Sequence, residues 1–268
     1  MKSQKNGKKL LWVYLALILI VILIAGGIIW RTVDRYQNKT LIASGHPEWA
    51  PIMWRDGDQI IGAGPDLVKK ICTDLNIKCD IIFEGQWQEV QDKTKSGEID
   101  MLVAAYKTDE RQTYMDYSEA YTIDPIALFI KSGSVFAYQE WSDLIGKKGV
   151  ATTGDSYGQK FDDYIKDKLT VERVATAEEA FNKILSGSAD YLIYGFYGGE
   201  KEIEKQNLTG KVESFSDNIA SENFYIAVSK KSPYAKYLPQ INELITNYKT
   251  DGTISRLIEQ NKILSGLK

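Results

Sequence analysis

This sequence of 268 residues contains only one histidine and two cysteines, which limits the metal and cofactor sites that it could form. These residues cannot form a His-Glu-x-x-His zinc motif, a zinc cluster of Cys and His or a haem-attachment motif. The glycines at 62 and 64 lack the third glycine of a dinucleotide loop, and there is no Gly-Lys-Ser or Gly-Lys-Thr for a phosphate loop. We therefore predict neither a metal nor another cofactor.

Four polar side chains remain as candidates for acid–base or anion chemistry. His46, Glu48 and Asp155 could transfer protons if they meet in a cleft. Arg111 carries a guanidinium that can pair bidentately with a carboxylate, although an ion pair with a neighbouring aspartate at the surface is the alternative. The formal charge of −3 lacks the basic excess that is typical of nucleic-acid binding, so no nucleic-acid partner is predicted.

The elements that must position these groups follow a repeated order of strand, helix and strand. The first cycle predicts strands at 40–44, 79–83 and 99–104, with helices from 64 and at 87–96. The second predicts strands at 149–152, 169–174 and 191–194, with helices at 155–168 and after a capping box at 176–179. The tail predicts a strand at 224–229 and helices at 233–248 and 253–261. Such alternation predicts an α/β fold with parallel sheets covered by helices.

Two stretches that lie 90 residues apart repeat the same helix end, acidic turn and strand. Ser-Gly-Glu-Ile-Asp at 96–100 corresponds to Ser-Gly-Ser-Ala-Asp at 186–190. A generic helix-to-strand connection would also give this match, but its place in two similar cycles predicts two lobes of like construction. If the tail returns to the first lobe, the chain crosses between lobes near 125–131 and 215–222. Two crossings make a hinge with a ligand cleft beside it.

The N-terminal region predicts a membrane anchor. Residues 10–30 carry no charge and follow four lysines, and a helix of this length spans about 31 Å, which matches a bilayer core. We predict a basic cytoplasmic leader at 1–9, a transmembrane signal anchor at 10–30 and a linker at 31–39, with the remainder outside the cytoplasm. A signal peptide cleaved near Ala25 and Gly27 and a buried soluble helix are the alternatives.

The two cysteines bear on the redox compartment. Cys72 lies late on the first amphipathic helix, and Cys79 opens the next strand, so the two are expected to be close in space. In an oxidising compartment, a disulfide across this short loop would contribute about 2–3 kcal/mol by loop closure. Two buried free thiols are the alternative.

Seven short stretches resemble, in order along the chain, the type II periplasmic solute-binding proteins of ABC importers, in particular their polar amino acid branch. They are Gly-His-Pro-Glu-Trp-Ala-Pro-Ile (45–52), Gly-Ala-Gly-Pro-Asp-Leu-Val-Lys-Lys-Ile (62–71), Lys-Ser-Gly-Glu-Ile-Asp-Met-Leu-Val-Ala (95–104), Thr-Asp-Glu-Arg (108–111), Asp-Tyr-Ser-Glu-Ala-Tyr (116–121), Asp-Leu-Ile-Gly-Lys-Lys-Gly-Val (143–150) and Ser-Gly-Ser-Ala-Asp (186–190). The resemblance implies a two-lobed type II fold with a central sheet in each lobe and a two-segment hinge. Its first lobe would consist of residues 40–126 and 219–268, and its second lobe of residues 127–218. Some members of the branch carry a disulfide where Cys72 and Cys79 fall.

The resemblance also implies roles for single residues. Trp49 stands where members place an aromatic ring on the ligand, and Arg111 matches the arginine that binds the ligand's α-carboxylate. Asp155 and Ser156 match a turn at the start of a helix that binds the same carboxylate, although helix capping alone would also place them there. His46 lies on the same loop as Trp49, and it either faces the ligand or caps that loop.

Some positions depart from the pattern of the branch. Ala104 and Tyr106 replace small or hydroxyl-bearing residues before the arginine. The aspartate that pairs with the ligand's α-amino group falls at Gly195, which cannot neutralise an ammonium, and an unpaired buried charge costs several kcal/mol. Either Asp155 or Glu48 takes over that role, or the ligand is not a standard α-amino acid.

The predicted function is binding without catalysis. We expect a monomeric, single-pass protein of the cytoplasmic membrane whose extracytoplasmic domain closes around a small carboxylate-bearing, amino-acid-like solute and offers it to an ABC transporter permease. One alternative is a dehydratase-like cleft enzyme that acts on a cyclic carboxylate through His46, Glu48 or Asp155. Another is a membrane-anchored sensory or regulatory binding module.

Overall fold

A computed structural model describes residues 40–267, apart from the side chains of residues 216 and 217. The predicted leader, transmembrane anchor and linker lie outside the described residues. Within the part of the chain that is described, no helix is both long and apolar enough to cross a membrane.

The first half of the described chain holds seven strands and three helices. They are β1 (Leu41–Ser44), β2 (Glu48–Trp49), β3 (Met53–Asp56), β4 (Gln59–Ile61), α1 (Ala63–Asp74), β5 (Cys79–Ile81), α2 (Trp87–Ser96), β6 (Met101–Ala105), α3 (Asp109–Gln112) and β7 (Met115–Lys131). Strand β6 is buried along its whole length, as expected for an apolar strand in the middle of a covered sheet. Helix α2 ends at Gly97, whose φ of +88° is easily adopted by glycine.

The second half holds four strands and five α-helices. They are β8 (Lys148–Thr152), α4 (Gln159–Lys168), β9 (Thr170–Val174), α5 (Ala177–Leu185), β10 (Tyr191–Gly195), α6 (Phe196–Lys205), β11 (Val212–Ser229), α7 (Leu238–Thr250) and α8 (Thr253–Ser265), with short 3₁₀ helices at Trp141–Leu144 and Pro233–Tyr237. One half of the predicted capping box of α5 is confirmed, because Thr176 Oγ1 accepts a hydrogen bond from the N–H of Glu179 at 3.2 Å. The other half differs, because the carboxylate of Glu179 accepts from the N–H of Ala175 and not from that of Thr176.

Eight strands form one mixed sheet in the order β5-β1-β6-β11-β7-β10-β8-β9. The strands β5, β1 and β6 are parallel to one another, as are β10, β8 and β9. We call the half around β5, β1 and β6 the first lobe and the half around β10, β8 and β9 the second lobe. The resemblance implies a central sheet in each lobe. The sheets are joined because β7 and β11, of 17 and 18 residues, run antiparallel through both lobes.

The long strands β7 and β11 form the ribbon that connects the lobes. Their pairing extends from Met115 and Ser229 at one end to Lys131 and Val212 at the other, with several register shifts between. Pro125 lies within the ribbon and has no N–H to donate to the ladder. Interrupted pairing makes such a ribbon easier to bend than a regular ladder.

The C-terminal helices return to the first lobe. Asn261 on α8 donates a hydrogen bond from its amide to Asp66 on α1 at 2.9 Å. The hydroxyl of Tyr248 on α7 hydrogen-bonds to Asp74 at the end of the same helix. The chain therefore ends on the half of the molecule in which the described residues begin.

Helix α4 begins four residues after Asp155, so the prediction of a helix over 155–168 is wrong at its start. Gly158 has a φ of +90°, which is outside the helical range. The carboxylate of Asp162 accepts hydrogen bonds from the N–H of Tyr157 at 2.8 Å and from the hydroxyl of Ser156. These contacts hold Asp155 and Ser156 in a loop before the helix.

Cys72 and Cys79 are free thiols in the structure, so the predicted disulfide is not formed there. The two side chains are hydrogen-bonded to each other, because α1 ends close to the start of β5. This hydrogen bond raises the pKa of the Cys72 thiol and lowers that of Cys79. Cys79, which is also the more exposed of the two, is therefore the better nucleophile for thiol–disulfide exchange.

We predict that oxidised glutathione, which takes up the two electrons, links Cys72 to Cys79 in the folded protein. The product should be lighter by two hydrogen atoms in mass spectrometry and more stable to urea by about 2–3 kcal/mol. Cys72→Ala is the matched control and should gain no stability from the oxidant. Two thiols that stay fully reactive towards a labelling reagent after oxidation would contradict this prediction.

Candidate ligand-binding cleft

A small cavity lies between the two lobes, beside the end of β6. Its volume is about 20 Å³, which is roughly room for one water molecule and far below the size of a typical ligand pocket. It is lined by His46, Trp49, Met53, Trp87, Ala105, Tyr106, Arg111, Asp155, Ser156 and Phe224. A second cavity, of about 250 Å³, shares Arg111, Asp155 and Ser156 with it and lies between α2, α3 and the loop before α4.

Arg111, at the end of α3, is buried with 5% of its surface exposed. Its Nε donates to Gln91 Oε1 at 2.8 Å, and its two terminal nitrogens donate to the carbonyl oxygens of Tyr106 at 3.2 Å and Gly154 at 2.8 Å. All three acceptors are neutral. The alternative of an ion pair at the surface is therefore wrong for this conformation.

Trp49 also lines the cavity, where its indole is buried between the lobes. The ring centroids of Trp49 and Tyr194 are 4.9 Å apart. The indole Nε1 donates to Asp124 Oδ2 at 2.7 Å, and the hydroxyl of Tyr106 donates to the same oxygen. Two aromatic side chains of the cavity wall are thus fixed by one carboxylate.

Asp124 itself is a buried residue of β7 that the sequence analysis did not select. Only 2% of its surface is exposed, and burial raises the pKa of its carboxyl to about 6 although the two hydrogen bonds lower it. The signal that could have found it is an aspartate placed directly before Pro125, at the start of the apolar run 126–130 in a predicted crossing.

Gly195 ends β10 and lies against the indole of Trp49, which explains why this position has no side chain. A Cβ at 195 would be 2.6 Å from Cζ2 of Trp49, well inside van der Waals contact. The place at which the resemblance puts an acid is therefore next to this indole and does not border the cavity.

We predict that Gly195→Ala lowers the free energy of unfolding by about 1–3 kcal/mol, because the new methyl group overlaps the indole. Urea unfolding of the single variants and of the double variant with Trp49→Phe measures the coupling, since phenylalanine removes the atom that is overlapped. The cost of Gly195→Ala should be smaller in the Trp49→Phe background. An equal cost in both backgrounds would show that Trp49 is not the cause.

His46 caps its own loop and also reaches the second lobe. Its Nδ1 accepts a hydrogen bond from the N–H of Glu48 at 3.0 Å, so the proton lies on Nε2, which is 3.1 Å from Asp155 Oδ1. The other oxygen of Asp155 accepts a hydrogen bond from the hydroxyl of Thr152. His46 therefore caps the loop and also lines the cavity.

Three predicted site residues do not line the small cavity, namely Gly195, Glu48 and Ala104. The carboxylate of Glu48 accepts a hydrogen bond from the N–H of Ala177 at 3.1 Å at the start of α5, and burial raises its pKa. Ala104 is fully buried, and Ala105 lines the cavity instead, because successive side chains of a strand point to opposite faces.

Several hydrogen bonds besides the one between His46 and Asp155 cross the cleft. The carbonyl of Gly154 accepts from Gln91 as well as from Arg111, at 3.0 Å from the Gln91 amide. The hydroxyl of Tyr194 donates to the carbonyl of Glu48 at 3.1 Å. Both lobes are therefore in direct contact, and this conformation of the cleft is closed.

The comparison with protein families decides which class of protein this cleft belongs to. The family model for bacterial extracellular solute-binding proteins, family 3, matches residues 41–261. The chain belongs to this family. Among curated protein sequences, no significant match was found.

Solved structures share the fold of this family 3 protein. An amino acid ABC transporter substrate-binding protein from Streptococcus pneumoniae, bound to L-arginine, is 22% identical, with a TM-score of 0.70 over 85% of this chain and 97% of that one. An ancestral arginine-binding protein bound to arginine is 25% identical, with a TM-score of 0.70 over 84% of this chain and 98% of that one. A histidine kinase sensor domain is 21% identical, with a TM-score of 0.71 over 84% of this chain and 96% of that one. The two-lobed type II periplasmic-binding-protein fold is therefore confirmed.

Besides Ala105, three cavity-lining aromatic or apolar residues of this family 3 protein were not selected from the sequence. They are Met53, Trp87 and Phe224. The ring of Trp87 is 5.4 Å from the guanidinium carbon of Arg111, and the ring of Phe224 is 4.7 Å from that of Tyr106. Trp87 and Phe224 each stand at the start of a predicted element, and Met53 lies in a stretch for which no element is predicted. Only the folded arrangement brings them to one cavity.

Proposed function

We propose that this solute-binding protein captures a small amino-acid-like solute that carries a carboxylate and delivers it to the permease of an ABC importer. The observation that carries the proposal is the buried guanidinium of Arg111, whose hydrogen bonds all go to neutral oxygens beside both cavities. A ligand carboxylate there would supply the missing negative charge. The arginine and glutamine bound in the ancestral arginine-binding proteins, each 25% identical, support this class of ligand.

The ligand enters after the lobes separate. The closed cavity of about 20 Å³ is too small for an amino acid, so binding requires a bend in the ribbon of β7 and β11. Two bodies move in this proposal. The first consists of residues 40–126 and 219–268, and the second of residues 127–218. The carboxylate then replaces the carbonyl of Gly154 at Arg111, and contacts with both lobes favour reclosure because only differential affinity can shift the two states.

The same geometry supports binding in preference to catalysis. Of the three acid–base candidates, Glu48 is held at the start of α5, and His46 and Asp155 are hydrogen-bonded to each other. Asp155 also binds Thr152, so both of its oxygens have partners. None of the three is poised as an unengaged base beside the cavity.

The remaining proposals concern where the protein acts. The uncharged segment 10–30 and its lysine-rich leader support a single-pass anchor in the cytoplasmic membrane, with the binding domain on the extracytoplasmic side. We propose that it acts as a monomer there and that the anchor keeps the loaded lobes near the permease.

A thermal-shift experiment on the full-length protein tests the ligand class. We expect the melting temperature to rise with the concentration of at least one of L-arginine, L-lysine, L-histidine, L-glutamine or a dicarboxylate, because binding to the native state stabilises it. Agmatine, which is arginine without its carboxylate, is the matched control and should give a much smaller shift than L-arginine. Equal shifts with both, or no shift with any of these carboxylates, would contradict the proposal.

A further inference from the structure

We infer that Asp124 determines which charge the cleft selects: its carboxylate, acting through Trp49 and Tyr106, is the counter-charge for a ligand's ammonium group. The inference rests on the proposed function and names the group that takes over from the acid missing at Gly195. Asp124 is a positioning and specificity residue in this scheme, because two rings separate it from the cavity.

The geometry places both rings between the carboxylate and the cavity. Trp49 and Tyr106 line the cavity, and the polar edge of each ring donates a hydrogen bond to Asp124 Oδ2. Their centroids are 6.2 Å apart, and the ring planes are nearly perpendicular, at 87°. Among the described residues only Oδ2 of this carboxylate receives hydrogen bonds, and both come from neutral donors. The negative charge therefore has no cation bound to it.

Two physical effects turn this arrangement into a site for positive charge. An aromatic ring attracts a cation through the negative potential of its face, most strongly for an indole. A hydrogen bond from the ring to an anion increases the electron density of that ring, and in a site of low dielectric the carboxylate also attracts the cation directly. An ammonium against Trp49 and Tyr106 would thus receive the stabilisation that a glycine at 195 cannot give.

The position of Arg111 makes this selection directional. The guanidinium and the pair of rings border the same cavity, so one small ligand can contact the positive charge of Arg111 and the rings that are hydrogen-bonded to Asp124. A zwitterion fits in one orientation, with its carboxylate at Arg111 and its ammonium at the rings.

Asp155 is the rival for this role, because it lines the cavity directly. Its two oxygens already accept hydrogen bonds from His46 and Thr152. Asp124 has one oxygen without such a partner and no charged donor. The structure therefore favours Asp124, and the experiment includes an arm for Asp155.

A dependence on pH follows and can be separated from that of the neighbouring groups. Burial raises the pKa of Asp124 to about 6, so the gain from an ammonium should be present above that value and be lost as the pH falls through it. The titratable groups around Asp124 are Tyr106 directly after β6, Tyr121 on its own strand, Glu222 opposite it on β11, and His46 and Asp155, which line the cavity. A pH dependence that arises from any of these should persist in Asp124→Asn.

Two probes isolate the ammonium. L-Arginine and 5-guanidinopentanoate share the carboxylate and the side chain, but the second lacks the α-ammonium. Titration calorimetry of the full-length protein at about pH 8 should give a preference of about 10-fold or more for L-arginine, in line with a desolvated cation–π contact. Asp124→Asn should reduce this preference to less than about threefold, and it should leave the affinity for 5-guanidinopentanoate nearly unchanged, because asparagine keeps an acceptor for the two rings.

The other outcomes are informative in different ways. If Asp124→Asn weakens both probes equally, the carboxylate has only a structural role and the inference is overturned. If Asp155→Asn and not Asp124→Asn removes the preference, Asp155 holds the ammonium, which also overturns it. If 5-guanidinopentanoate binds and the wild-type protein shows no preference, the inference fails while the proposed function stands. If neither probe nor any other amino acid binds, the proposed function is wrong, and the inference that rests on it is wrong as well.

A variant of Trp49 adds a separate test. Trp49→Phe, which deletes the indole N–H and keeps a ring, should reduce the preference for L-arginine in part.

Discussion

Arg111→Ala should lower the affinity for L-arginine by about 30- to 5,000-fold, which corresponds to about 2–5 kcal/mol. The reason is that a carboxylate in a closed, buried cleft would lose the partner that makes its desolvation tolerable. The guanidinium also donates to Gln91 and to the carbonyls of Tyr106 and Gly154, so its removal leaves buried acceptors without donors. Titration calorimetry with the full-length protein measures the loss.

Two control variants separate charge, geometry and general damage. Arg111→Lys keeps the charge but cannot form a fork of two parallel hydrogen bonds, so it should give an intermediate loss. Arg256→Ala removes an exposed arginine of α8 and should leave binding unchanged. An affinity for L-arginine that is unaltered in Arg111→Ala would remove this residue from the site.

Asp124→Asn should raise the free energy of unfolding of the ligand-free protein at about pH 8 by up to about 3 kcal/mol. Burial raises the pKa of this carboxyl from 3.8 to about 6, so the folded state keeps its proton to a higher pH than the unfolded state does. The cost of ionising Asp124 is therefore absent below the unfolded value, grows as the pH rises towards 6 and is fully present above it. Asparagine carries no charge and avoids that cost.

Urea unfolding of both proteins at about pH 8 and about pH 4 tests this sign, because the difference between them should shrink at the lower pH. Asp143→Asn is a control that should change the free energy of unfolding in the opposite direction at neutral pH. Backbone N–H groups of Gln139 and Glu140 lower the pKa of Asp143, so its contribution to stability is present at neutral pH and is lost in acid. An Asp124→Asn effect that does not change with pH would contradict the account.

If Asp124 also has the inferred role in selectivity, the same carboxylate lowers the stability of the folded protein and favours the binding of its ligand. A buried carboxylate with only neutral donors is costly for the ligand-free protein and useful for a cationic ligand. The same substitution should therefore increase stability and reduce the preference for an ammonium, which a purely structural aspartate would not do.

Much of the fold could be predicted from the sequence because its signals are local. Helix α2 has the predicted bounds, since its start at Trp87 and the closing Gly97 are both visible in the chain. Most strands of both cycles are short apolar runs between turns, although β9 is largely polar, and the resemblance indicated which segments form each lobe. Arg111, which lines the cavity, was selected because its type and its motif together indicate a carboxylate partner.

The missed features depend on contacts between residues that are distant in sequence. The close approach of Trp49 to Gly195 joins two lobes, and no local pattern reveals it. Asp124 becomes a buried acceptor only when β2 and the end of β6 bring the rings of Trp49 and Tyr106 to it. Ala104 and Ala105 show a different limit, because an error of one residue in a strand exchanges the two faces of the sheet.

The central claim is that the lobes close on a carboxylate held by Arg111. A crystal structure of the protein with the amino acid that gives the largest thermal shift tests it most directly. We predict that the ligand lies between the lobes with its carboxylate oxygens within hydrogen-bonding distance of the guanidinium, and that the carbonyl of Gly154 has moved away from Arg111. A ligand bound outside the cleft, or one whose carboxylate faces away from Arg111, would contradict the claim.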